Sequence, residues 1–138
     1  MNKETALTAS VIINQPIDLV WELWNKPEHI IKWNAPSAEW INKKIENNLI
    51  EGGSFLFAMA KKDGSESFDF KGTYTEITTH QNIAYILHDG RKTTITFAGS
   101  APVTLNEIFE PVADLNFDMQ QEFCQSVLNK FKAYAEQL

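Results

Sequence analysis

Residues Asn116–Leu138, NFDMQQEFCQSVLNKFKAYAEQL, decide the fold. Met119, Phe123, Val127, Phe131 and Ala135 recur every four positions with Cys124, Leu128, Tyr134 and Leu138 beside them, one broad apolar face at helical period. Asp118, Gln121, Glu122, Gln125, Asn129, Lys132 and Glu136 fill the other, solvated side. Asn116 is placed to cap the N-terminus, Asp118 sits where the helix dipole favours a carboxylate, and Lys130 and Lys132 lie in the C-terminal half, where cations are favoured. Some twenty helical residues span about 30 Å, the width of a small domain. A single apolar face of that length needs a large concave partner.

The residues before it supply strands. Glu4 to Ile13 alternate as a half-buried strand, with Thr5, Leu7, Ala9, Val11 and Ile13 on one parity. Pro16 opens a helical period, Ile17, Val20, Trp21 and Trp24, ending near Asn25, and Pro27 starts a second short helix, Glu28 to Trp33. Trp40 and Ile41 begin a strand that Lys43 to Glu46 continue to the Asn47-Asn48 turn. Phe55, Phe57 and Met59, then Phe68, Phe70, Gly72 and Tyr74 beyond Asp63-Gly64, form a hairpin with an aromatic face. Ile83 to His88 and Thr93 to Phe97 flank Asp89-Gly90, a second hairpin, and Val103 to Phe109 close the series before Pro111. Short turns make neighbouring strands antiparallel. The expectation is an α+β architecture in which a sheet grips a helix: seven antiparallel strands curved around the last helix, in one domain spanning 1–138.

The totals narrow the function classes. A chain of 138 residues, 43% hydrophobic and 22% charged, is one globular domain. Net charge is −6 and the basic pairs are scattered, so no nucleic-acid partner is expected. No stretch has the length and apolarity of a secretory leader or a membrane span, so a cytoplasmic protein with no membrane insertion is expected. The lone Cys124 excludes an internal disulfide and reads as a small core residue. Phosphate-binding glycine loops, nucleophile elbows and His-Glu-x-x-His are missing, so no catalytic residue, metal or cofactor is assigned.

What remains is an apolar constellation with a few polar groups. Trp33, Trp40, Phe57, Phe70, Tyr74, Tyr85, Phe97 and Phe123 are read as walls of a chamber between sheet and helix. Glu107 shares parity with Leu105 and Phe109, which aims a carboxylate inward, where it needs a partner or a purpose. Arg91, on the parity of Thr93, Ile95 and Phe97, is either that partner in a structural ion pair or, with Glu107 and Tyr74, a ligand-orienting group. Glu76 raises the same question unless a bulge near Gly72 turns it outward. His29 reads as a solvated surface histidine and His88 as exposed, whereas Asp69 faces solvent by parity.

These residues resemble a known family. Pro16-Ile17-Asp18-Leu19-Val20-Trp21, Pro27-Glu28-His29-Ile30-Ile31-Lys32-Trp33, Gly52-Gly53 before Phe55, Phe57 and Met59, and Phe70-x-Gly72-x-Tyr74-x-Glu76-Ile77 are similar to the activator-of-heat-shock-protein-ATPase homologue branch of the START-like (SRPBCC) superfamily. The resemblance covers about Thr5 to Glu136 and implies the helix-grip fold with a hydrophobic cavity under the C-terminal helix. Superfamily members bind lipids, sterols, polyketides and other apolar molecules, and some are cyclases or hydrolases. Asn48-Leu49-Ile50 stands where the family often has Asp-x-Arg, and Glu122-Phe123 where it often has Gly-Trp. Nothing in the chain corresponds to the co-chaperone's separate N-terminal domain, so no chaperone partner is expected. The resulting expectation is a binding module for a small hydrophobic molecule. The alternatives are a cyclase- or hydrolase-type enzyme in which Glu107 or His29 moves a proton, and a protein-interaction domain.

Overall fold

A computed structural model describes residues 6–138. The chain runs β1 (Leu7–Ile13), α1 (Ile17–Asn25), α2 (Pro27–Trp33), β2 (Trp40–Asn47), β3 (Ser54–Lys61), β4 (Ser67–Thr78), β5 (Asn82–Leu87), β6 (Lys92–Ala98), β7 (Val103–Phe109) and α3 (Phe117–Glu136). The seven strands form one antiparallel sheet in the order β1-β7-β6-β5-β4-β3-β2, with α3 packed on it. This is the α+β helix-grip arrangement expected from the periodicities. Glu4 and Thr5, read as part of the first strand, lie outside the described residues.

Local chemistry sets the element ends. Asn116 caps α3 by accepting from the Met119 N–H at 2.9 Å. Gly90 takes φ +93° in the β5–β6 turn, where Asp89 accepts from the Arg91 N–H at 3.1 Å. A bulge between Tyr74 and Glu76 reverses the parity of β4. It lies beyond Gly72, where the sequence placed it, and it turns Glu76 outward, to accept from the Asn82 side chain at 2.6 Å.

The core lies where α1, α2 and the C-terminal half of α3 meet the sheet. Phe131 is fully buried, with its ring centroid 5.0 Å from that of Trp24 and 4.8 Å from that of Trp33, and Leu128 and Ala135 are equally enclosed. The N-terminal half of the apolar face departs from expectation. Met119 is 68% and Phe123 42% exposed. There the helix overlies a pocket and the rim of the molecule instead of packed core.

The polar side of α3 is also engaged. Gln121 donates to Thr8 O, Gln125 bonds both Ser10 N and O, Lys132 donates to Ile12 O, and Glu136 accepts from Asn14 N at 2.8 Å. From Gln121 to Glu136 the helix rises about 22 Å and from Thr8 to Asn14 the strand about 20 Å, so the two run side by side over the whole length of these contacts. At the opposite margin β2 carries a bulge between Asn42 and Lys44.

Candidate functional site

Between the sheet and the helices lies a pocket of about 230 Å³. Its sheet wall is built by side chains of one parity, Phe55, Phe57 and Met59 from β3, Phe70 and Tyr74 from β4, and Tyr85 from β5. The rings interlock: Phe55 centres lie 4.9 Å from Tyr85, 5.2 Å from Phe57 and 5.6 Å from Phe70. Gly72 permits this closeness, since a Cβ there would fall 2.5 Å from Ile86 O and 3.1 Å from Phe55 Cζ. Trp24 and Trp33, stacked at 4.7 Å, close the α1–α2 side, and Phe123, Cys124 and Val127 of α3 form the roof. The exposed members of the lining, Phe68 and Phe123, mark where it reaches the surface.

Three groups of polar atoms are set into this wall. Asn47 accepts from the Tyr74 hydroxyl and donates to Asn25 O at 2.8 Å, tying β2, β4 and α1 together. Burial pushes the Tyr74 phenol well up. At the rim, Gln120 of α3 donates to Val112 O at 2.9 Å and accepts from Val112 N at 2.7 Å, clasping the β7–α3 connection. Deepest in chemical consequence is Glu107. Protein encloses it, and the part of its surface that stays accessible lines the pocket. Desolvation raises its carboxyl from the ordinary 4.5 to about 7, opposed by a hydrogen bond from the Cys124 thiol. Burial, then the neighbouring Glu107 charge, drives the Cys124 thiol up in turn, and the same two causes raise Tyr85, whose hydroxyl is hydrogen-bonded with Thr93.

The structure brings eight of the ten sequence-selected residues to the pocket: Trp33, Phe57, Phe70, Tyr74, Tyr85, Arg91, Glu107 and Phe123. Trp40 and Phe97 lie elsewhere. Trp40, at the start of the marginal strand β2, is outside the lining itself: it packs on the rim residue Phe68 at 5.5 Å with Lys61 over its ring. Phe97 has the inward parity expected but sits under α1, 5.1 Å from Trp21. The Glu107–Arg91 ion pair does not form. Arg91 Nε instead meets Asp89 Oδ2 at 2.7 Å, a partner two residues away across the turn. Nor is His29 simply solvated: its Nδ1 lies 2.7 Å from the Tyr134 hydroxyl, outside the pocket lining. Cys124 packs against the core as expected, but it is half-buried and also lines the pocket, with Glu107 as its neighbour.

Sequence reasoning missed Asn25, Asn34, Asn47, Thr93 and Gln120, all of which line the pocket. Buried Asn42, bonded to Ile31 O and Asn34 O, supports that side from β2. The available signal was an asparagine on inward parity in a strand, where an amide needs buried partners. Among the described residues no three His, Cys, Asp or Glu side chains are grouped to hold a metal ion. No helix among them is long and apolar enough to cross a membrane.

Comparison with known proteins follows the same outline. The family model for Activator of Hsp90 ATPase homolog 1-like protein matches residues 14–136. The solution structure of the AHSA1-like protein from Aeromonas hydrophila is 34% identical, with TM-score 0.89, covering 96% of this chain and 92% of that one. A solution structure from Cytophaga hutchinsonii is 40% identical, with TM-score 0.85 and coverage of 96% and 93%. A crystal structure from Chromobacterium violaceum shares the fold at 21% identity, TM-score 0.84, with 95% and 97% covered. No match was found among curated proteins.

Proposed function

The chain belongs to the Activator of Hsp90 ATPase homolog 1-like family, and on that premise we propose that it binds a small, largely apolar molecule between its sheet and α3. The observation that carries this is the pocket itself, about 230 Å³ walled by aromatic rings in a domain that otherwise packs closely around Phe131. Unfilled apolar space weakens a core, so a void of this size calls for an occupant. A cavity of about 150 Å³ holds benzene, which by proportion sets the guest here at about nine or ten non-hydrogen atoms. That is a one- or two-ring aromatic or a short alkyl chain; a sterol is too large.

Binding is favoured over turnover by the company Glu107 keeps. Glu107, raised to about 7, is the one pocket group tuned for proton transfer near neutrality, and it has no titrating companion, because burial holds both Cys124 and Tyr85 protonated. His29 is engaged with Tyr134. One observation favours an interaction surface as a second reading: Leu115, Phe117, Met119 and Phe123 are all exposed at the N-terminal end of α3.

Native mass spectrometry of the protein as purified, followed by titration with small aromatics, fatty acids and sterols while amide shifts are recorded, separates the two. Shifts centred on Phe55, Tyr85, Glu107 and Val127 with the small aromatics support the pocket reading. No wall shifts with any guest would overturn it in favour of the exposed apolar end of α3.

A further inference from the structure

We propose that the guest is a small apolar amine, its ammonium group against the Glu107 carboxylate and its hydrocarbon among the sheet's aromatic rings, and that the pocket rejects carboxylates of the same shape. This rests on the ligand-binding reading above and names the chemistry of the guest.

The charge pattern of the lining is the first argument. Its carboxylates and cations are Glu107, Glu110 and Arg91, and its other ionisable groups, Cys124, Tyr74 and Tyr85, are held neutral by burial. The Arg91 cation is already matched by Asp89 at 2.7 Å, and the Glu110 carboxylate accepts from the Lys92 N–H at 2.7 Å, at the rim. A guest therefore enters a field whose inner charge is the negative one. An anionic guest would bring a second desolvated negative charge beside Glu107, the arrangement that enclosed sites disfavour most.

The coordination of Glu107 is the second. An ionised carboxylate can accept about four hydrogen bonds, and among the described residues its partner is the Cys124 thiol, a weak donor. The Tyr85 hydroxyl beside it is engaged with Thr93. A primary ammonium carries three N–H donors and the compensating charge, so it meets both needs with one atom. The third argument is the wall. Tyr85, Phe55 and Phe70, with centres 4.9 to 6.1 Å apart, present ring surface in the same pocket as the carboxylate, and cations are drawn to such faces once desolvated.

The test uses three probes of closely matched size, within the limit the pocket sets: 2-phenylethylamine, 2-phenylethanol and phenylacetate, titrated at pH 7.5 by calorimetry and amide shifts. The expected order is amine, alcohol, carboxylate, with about tenfold or more in Kd between first and last. Glu107→Gln should bring the amine to the alcohol's affinity. In the unaltered protein, lowering the pH to 5.5 should remove the amine's advantage as Glu107 takes up a proton. The titratable or charged groups that share the pocket with it are Cys124 on α3, Tyr74 on β4, Tyr85 on β5, Arg91 before β6 and Glu110 after β7. This pH series decides the matter even if the variant folds poorly. A carboxylate that binds as tightly as the amine, or an order that persists in Glu107→Gln, would overturn the amine assignment and leave the ligand-binding reading standing. Absence of wall shifts with all three probes would overturn the amine assignment, and absence with the fatty acids and sterols as well would overturn both.

Discussion

Replacing Glu107 by Gln should change how stability depends on pH, in a direction that the enclosure of this side chain dictates. In the folded chain the carboxyl keeps its proton up to about pH 7, whereas unfolded it loses it near 4.5. Between those values the folded state binds one more proton than the unfolded state, so stability falls as pH rises across that window. It is flat above and below. At 1.36 kcal/mol per pH unit, this one proton makes the native protein less stable at pH 8 than at pH 4.5 by about 3 kcal/mol, an upper bound because water in the pocket screens the charge. Glutamine cannot ionise and can still accept from the Cys124 thiol. The difference between variant and parent should therefore drift in the variant's favour by about 2 to 3 kcal/mol between pH 4.5 and 8. Carboxylates with lowered values, Glu22, Asp63, Asp89 and Glu136, are common to both proteins and cancel in the difference. Urea unfolding at four pH values, followed by the fluorescence of the four tryptophans, measures it. Parallel pH profiles for the two proteins would show that Glu107 is ionised and solvated in the native state and would refute the reasoning.

Other substitutions probe the surrounding frame. Phe131→Ala removes a fully buried ring wedged between Trp24 and Trp33 and should cost about 3 to 5 kcal/mol in urea unfolding, with a lower tryptophan emission wavelength lost in the process. Asn47→Ala strands the Tyr74 hydroxyl and Asn25 O together and should cost about 2 kcal/mol, measured the same way, whereas Asn47→Ala in a Tyr74→Phe background should cost less. Gly72→Ala pushes a methyl against Ile86 O and the Phe55 ring; a loss of about 1 to 3 kcal/mol, with amide shifts spreading through Phe55 and Leu87, is expected.

Much of this was legible from alternation and helical spacing, and the misses share a cause. Parity aimed Glu107 inward correctly because a strand's pleat leaves only two directions. It could not select a partner: Arg91 prefers Asp89, two residues off in a tight turn, since a contact held by the backbone needs no long-range arrangement. The inward parity of Phe97 was right as well, yet a curved sheet gives one face two neighbours, and α1 claims Phe97 while the pocket takes Tyr85. Trp40 shows the same limit at a strand's end. On α3 the apolar stripe is continuous from Met119 to Ala135, but burial depends on what lies beneath each turn, which helical period alone does not encode. The Asn47 network joins residues far apart in the chain through amides that composition treats as ordinary turn formers.

The rungs between α3 and β1 bear on how these molecules behave in a crowd. A seven-stranded sheet has two outer borders, each a row of peptide groups that another molecule's sheet could extend. One border is already occupied by the chain's own glutamines and lysine. The other, β2, presents Lys43, Lys44 and Glu46 to water around its bulge. Growth of one sheet into the next, the route from a folded β-domain to a fibre, is closed off at the first border and hindered at the second by charge and a kinked edge.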